Sequence, residues 1–183
     1  GYMAKLVSKT YGDALFAVAL EEDRMDEFFE AGKVVTEVLR TNEEFGKLMN
    51  HPKIIKEEKV RIVEEIFDGK APKEMIGVMC LLVTKGRAGE MLSVFDYFVS
   101  LVKEEKKIGI AHVKTAVPLS SGQKTKVEQR LLDTTKYETF EMHYSVEPSL
   151  IGGMVIRIGD RVVDSSIQTK LYELTRGLRN VRV

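Results

Sequence analysis

The hydrophobic period of the chain changes at Gly109, and no other feature limits the possible fold so strongly. Before it, apolar residues recur at helical spacing; after it, they alternate as on strands with one buried face. A helix-period pattern does not settle as a strand, so the two stretches imply two cores. The expected fold is an N-terminal all-α six-helix bundle over residues 1–108, followed by a small α+β domain over residues 109–183. A chain of 183 residues has room for two such modest cores.

In the first part, Val7, Tyr11, Ala14, Leu15 and Val18 form one helical stripe, and Phe16 and Leu20 form a second. Met25 to Arg40 reads as a second helix. Thr41 and Glu44 have the Ser/Thr-x-x-Glu spacing of a capping box, which predicts a short third helix there, and Pro52 stops it. Lys56 to Phe67 is a fourth helix and Glu90 to Lys107 a sixth. The fifth, Glu74 to Thr84, is apolar nearly all round: Met75, Ile76, Val78, Met79, Cys80, Leu81, Leu82 and Val83. A bundle helix needs only one apolar face. The surplus on the first and fifth helices therefore means either that they are covered on both sides within the domain or that they keep a face for a partner.

In the second part, Ile110, His112 and Lys114 alternate with Ala111, Val113 and Thr115 on a strand, and Ser120 to Gln123 can cap a helix carrying Val127, Leu131 and Leu132. Phe140 to Glu147 is a second strand. Met154, Ile156 and Ile158 then form one face of a third, Gly159-Asp160 supplies a tight reversal into Arg161-Val162-Val163, and Asp164-Ser165-Ser166 opens a helix to about Arg179. Gly152-Gly153 removes two side chains from a backbone that must bend or be closely approached.

The residues offer no chemistry. There is no metal-binding Cys or His spacing, no Gly-x-Ser-x-Gly elbow and no dinucleotide fingerprint. Asp160 and Asp164 are accounted for by turn and cap duties, and Lys85-Gly86-Arg87 follows a helix, so it reads as a C-cap and not a phosphate loop. Cys80 reads as a small buried apolar residue, and His51, His112 and His143 as loop and strand positions. With 28 basic and 28 acidic side chains the chain is not a general polyanion binder, and Arg157, Arg161, Arg176, Arg179 and Arg182 lack interleaved aromatic residues for stacking bases. The halves differ slightly, 17 basic and 20 acidic side chains over residues 1–108 against 11 and 8 beyond. No run approaches the roughly 20 apolar residues of a membrane span, and the native start is expected at Met3.

The run Gly152-Gly153-x-Val155-x-x-x-Gly159-Asp160-x-Val162-x-Asp164-x-Ser166, with the Leu-rich helix after it, resembles the motif of the delta subunit of F-type ATP synthase, called oligomycin sensitivity-conferring protein in mitochondria. Tyr11-Gly-Asp-Ala-Leu-Phe-Ala and Lys85-Gly86-Arg87 match in the expected order. The resemblance implies a non-catalytic stator subunit without cofactor or metal. It implies that a groove between helices one and five, here Tyr11, Ala14, Val18, Val78, Leu81 and Leu82, receives the N-terminal helix of an alpha subunit of the catalytic head. The second domain would bind the C-terminal region of the b subunits, so that the head does not turn with the rotor during proton-driven ATP synthesis. Gly152, Gly153, Gly159, Asp160, Asp164 and Ser166 are expected to shape the small domain. By the same resemblance the protein would sit peripherally on the cytoplasmic face of the bacterial inner membrane, or its matrix or stromal equivalent, with no nucleic acid and no membrane insertion. The competing expectation is a two-domain adaptor outside ATP synthase.

Overall fold

The computed structural model describes residues 1–151 and 153–180. The chain divides into two compact units, Gly1–Val102 and a second that begins at Lys103. The first holds α1 (Tyr2–Glu21), α2 (Met25–Thr41), α3 (Glu43–Asn50), α4 (Lys56–Phe67), α5 (Lys73–Thr84), a 3-10 turn at Ala88–Glu90 and most of α6 (Met91–Glu105). Residues spaced three and four apart turn inward. Phe28, Ala31 and Val35 of α2, Met75 and Met79 of α5, and Val94, Phe95 and Phe98 of α6 are all buried. Phe28 meets Phe98 edge to face at 6.3 Å, and Phe45 meets Phe67 at 5.8 Å.

Helix ends follow local chemistry, with one correction. Thr41 does not cap α3. It is the last residue of α2, and its hydroxyl donates back to the Glu37 carbonyl at 2.8 Å. Asn42 is the cap, its Oδ1 accepting the Phe45 N–H at 3.1 Å, because a short amide at that position reaches the free N–H that the back-bonded threonine cannot. The end of α5 is closed as expected: the Gly86 N–H donates to the Val83 carbonyl and the Arg87 N–H to the Leu82 carbonyl, so Lys85-Gly86-Arg87 is a helix terminus.

The division falls inside α6, a few residues before the expected boundary at 108. Beyond that point Lys103 Nζ lies 3.1 Å from Glu141, Lys136 Nζ lies 2.7 Å from Glu104, and the Tyr137 hydroxyl donates to Glu104 at 3.1 Å. These contacts tie the last turn of α6 to the stretch from Lys136 to Glu141.

The second unit contains β1 (Ile108–Thr115), α7 (Ser121–Thr134), β2 (Thr139–Val146), β3 (Met154–Ile158), β4 (Arg161–Val162) and α8 (Ser165–Asn180), in the expected order. The strands lie in the sheet as β2-β1-β3-β4. β1 and β2 are parallel, which requires the crossover that α7 supplies, and the other pairs are antiparallel. Ala111, Val113, Met154, Ile156 and Ile158 pack on Val127 and Leu131 of α7 and Leu171 of α8. The alternate residues, among them His112, Lys114, Glu141, His143 and Arg157, occupy the other face. Ser120 and Gln123 form the expected reciprocal capping box at the start of α7. Ile158 pairs with Arg161 across a two-residue loop with φ +59° at Gly159, the first-position glycine that a tight hairpin favours. Among the described residues, no helix is long and apolar enough to cross a membrane.

Candidate protein-binding surfaces

α1 buries Val7, Ser8, Gly12, Leu15 and Ala19. Tyr11, Ala14 and Val18, spaced three and four apart, lie on the adjoining flank, where Ala14 is exposed and the other two are half-buried. α1 packs against α5, which buries Met75, Met79, Leu82 and Val83 and leaves Val78 half-buried and Leu81 41% exposed. Two contacting helices thus bring apolar side chains to the surface. Leu82, grouped with this set from sequence, is 0% exposed and belongs to the core. The reason is helical geometry: consecutive residues are rotated by roughly 100°, so Leu81 and Leu82 cannot share a face. On another side of α1, Leu20 is 56% exposed and Phe16 half-buried.

The Tyr11-Gly12-Asp13 stretch has a clear structural duty. A Cβ at Gly12 would fall 2.3 Å from Cδ2 of the Tyr97 ring, so only glycine lets α6 come this close. The Tyr97 hydroxyl donates to Asp13 Oδ1 at 2.7 Å, and Lys9 Nζ reaches Oδ2 at 3.0 Å. The hydrogen bond from Tyr97 and then that from Lys9 hold the Asp13 carboxyl below its usual range. Arg24, at the residue before α2, reaches Glu74 of α5 at 2.8 Å and also binds Glu27. Its hydrogen bond is the main cause that keeps the Glu74 carboxyl low, with the residue's own backbone N–H second. Neither Tyr97 nor Arg24 stood out in the sequence, because their partners lie 84 and 50 positions away.

In the second unit two glycines of the motif, Gly153 and Gly159, have positive φ. Gly153 has φ +85°, and a Cβ there would lie 2.5 Å from the Tyr172 ring of α8, so at this glycine the backbone is both turned and closely approached. Gly152 and the Ser166 side chain lie outside the described residues. Asp160 is the exposed second residue of the hairpin loop, and the Asp164 carbonyl accepts the Gln168 N–H at 3.1 Å as α8 begins. Gly159, Asp160 and Arg161 line an open cleft of about 780 Å³ with Thr134, Lys136 and Tyr137. Gln168 was missed by sequence reasoning. Its Oε1 accepts the Ile156 N–H at 2.8 Å and its Nε2 donates to the Val163 carbonyl at 2.7 Å, so it plugs the sheet where β4 departs. Of the leucines on α8, Leu171 is buried and Leu174 is 45% exposed, while the Leu178 side chain lies outside the described residues.

Among the described residues, no three His, Cys, Asp or Glu side chains are placed to hold a metal ion. Cys80 is half-buried, less enclosed than its sequence neighbours suggested; burial, and secondly Glu64, push its thiol up and away from the reactive thiolate. The His51 Nδ1 accepts the Lys53 N–H at 3.1 Å, an ordinary loop contact.

The family described as ATP synthase delta (OSCP) subunit matches residues 7–178. The ATP synthase subunit delta of Lachnoclostridium phytofermentans is 49% identical over 181 residues, covering 99% of this chain and 100% of that one. That of Brevibacillus brevis is 31% identical over 92% of this chain and 96% of its own length. A chain of the cryo-EM structure of the Toxoplasma gondii mitochondrial ATP synthase hexamer has the same fold, with a TM-score of 0.71 and 21% identity over 94% of this chain and 97% of that chain. With the family match spanning most of its length and relatives aligned nearly end to end, this chain belongs to the ATP synthase delta (OSCP) subunit family.

Proposed function

We propose that this protein is the non-catalytic stator subunit that joins the catalytic head of an F-type ATP synthase to its peripheral stalk. The helical unit, read as a six-helix bundle, takes the N-terminal helix of an alpha subunit between α1 and α5. The second unit holds the C-terminal region of the b subunits. On this reading the protein is a peripheral subunit on the cytoplasmic side of a bacterial inner membrane, or on the matrix or stromal side in an organelle.

One observation carries this reading: Tyr11, Ala14, Val18, Val78 and Leu81 are apolar, reach the surface, and stand on two helices that touch. An amphipathic helix laid along them buries its own apolar stripe, and such an anchor acts mainly by slowing dissociation. That suits a joint under mechanical load.

The test is calorimetric titration of the protein into a catalytic head stripped of its own delta subunit. One tight site per head is expected. Ala14 is exposed, so Ala14→Glu should leave the protein folded while weakening binding by about 30-fold or more, the scale of an interface hot spot. Absence of binding to a head with intact alpha-subunit N-termini overturns the proposal.

A further inference from the structure

His112 of β1 and His143 of β2 are paired across the parallel ladder, and their rings are stacked at 4.8 Å with an interplanar angle of 15°. On its other side His112 is paired with Arg157 of β3. His143 Nε2 lies 3.2 Å from Glu141 Oε2, and the same carboxylate accepts from Lys103 Nζ at 3.1 Å. A polar ladder therefore crosses the face of the sheet opposite α7 and α8: Glu141, His143, His112, Arg157. Neutral imidazoles stack comfortably. A cation at His112 instead meets the guanidinium of its cross-strand partner, and like charges directly opposite on a sheet destabilise the pairing.

The charged and titratable groups that act on His112 are His143 and Glu141 on β2 and Arg157 on β3; Lys114 follows it on the same face of β1, and Lys103 from the end of α6 reaches Glu141. Glu141 alone favours the cation, and it already serves Lys103 and His143. β3, which carries Arg157, is paired with β1 on one side and with the two-residue β4 on the other, so the ladder to β1 is the longer of the two that hold it.

We propose that His112 is an acid-sensitive latch on the β1–β3 pairing: neutral, its ring lies flat against His143 and sits beside Arg157 without repelling it; protonated, it opposes the Arg157 guanidinium directly across the ladder and loosens β3 from β1. Burial, then His143, then Arg157 lower the affinity of this imidazole for a proton, against the opposing pull of Glu141. The unfolded chain takes the proton first, so this stability is complete above the ordinary histidine value of about 6.5 and is lost as pH falls below it.

The test uses NMR on the full chain, reading the His112 ring resonances and the exchange protection of β3 amides from about pH 7.5 to about pH 5, corrected for intrinsic exchange; one proton limits the effect to about tenfold per pH unit. The His112 midpoint is expected to rise in Arg157→Gln and in His143→Gln, and β3 protection to fall in step with His112 titration in the unaltered chain. In His112→Phe, which keeps a flat ring, β3 protection should no longer fall through this range. The latch is overturned if the His112 midpoint is the same in all variants, or if β3 loosens equally in His112→Phe. Should that last variant not fold, Arg157→Gln leaves β1 untouched and decides the matter: an unmoved midpoint overturns the proposal.

Discussion

The helical unit is closed by side chains that fill space, whereas the second unit is closed by side chains that reach backbone. In the first, Phe28, Phe95, Phe98, Met75 and Met79 interdigitate, and the apolar residues left over on α1 and α5 come to the surface. In the second, Gln123 of α7 donates to the Thr175 carbonyl of α8 at 2.8 Å, and Gln168 of α8 binds both the Ile156 N–H and the Val163 carbonyl. The difference reflects how backbone polar groups are satisfied. A helix satisfies its own, so its side chains are free to pack, whereas a sheet that ends in a two-residue strand leaves N–H and C=O groups that something must meet. The first unit thus brings apolar residues to the surface of two helices that touch, α1 and α5, whereas the second spends two glutamines on backbone groups left unmet around its sheet and helices.

The largest expected effect comes from two neighbours on α5. Leu82→Ala empties a fully buried site and should destabilise the helical unit by roughly 2–5 kcal/mol in denaturant titration. Leu81→Ala should change stability by no more than about 0.5 kcal/mol, as for an ordinary surface substitution, while weakening association with the catalytic head. If both variants lose stability equally, the apolar flank is core and the contrast between the units fails.

A smaller loss is expected from Gln123→Ala, which strips the Thr175 carbonyl of its buried donor and the Ser120 N–H of its acceptor. About 1–3 kcal/mol is expected, confined to the second unit, and proteolysis between α7 and α8 would show where it falls. An unchanged second unit would mean that its helices are held by packing alone.

The smallest effect concerns the exception in the first unit, the Tyr97–Asp13–Lys9 cluster. Because Asp13 is held below its usual range, its contribution is present above the unfolded carboxylate value of about 3.9 and is lost as pH falls through the folded value. Tyr97→Phe keeps the ring against Gly12 but removes the larger cause. Its stability curve should lie slightly below that of the unaltered chain at neutral pH and converge with it in acid. Parallel curves would show that the cluster contributes nothing to the coupling of α1 and α6.

The division into a helical and a mixed part, the order of strands and helices after Gly109, the hairpin at Gly159-Asp160 and the Ser120–Gln123 cap were all legible in the residues. Each depends on neighbours a few positions apart, where periodicity and turn chemistry act. The cap of α3 was misplaced by one residue because Thr41 and Asn42 are both competent, and the run of α2 through Thr41 decided between them. In the candidate surface, Tyr11, Ala14, Val18, Val78 and Leu81 reach solvent, but Leu82 does not. A helix apolar nearly all round carries no period from which its inward side can be read.

By itself, the sequence determined the order and kind of the elements, most of their ends, and the spaced glycine and aspartate motif that marks the family. Only the tertiary structure decided which side of α5 is covered, why Gly12 must lack a side chain, and that His112 lies between His143 and Arg157. Those outcomes rest on Tyr97, Arg24, Tyr172 and the strand register, which join residues far apart in the chain. Local propensity shapes each element, but which of its faces is buried is settled only when distant elements meet.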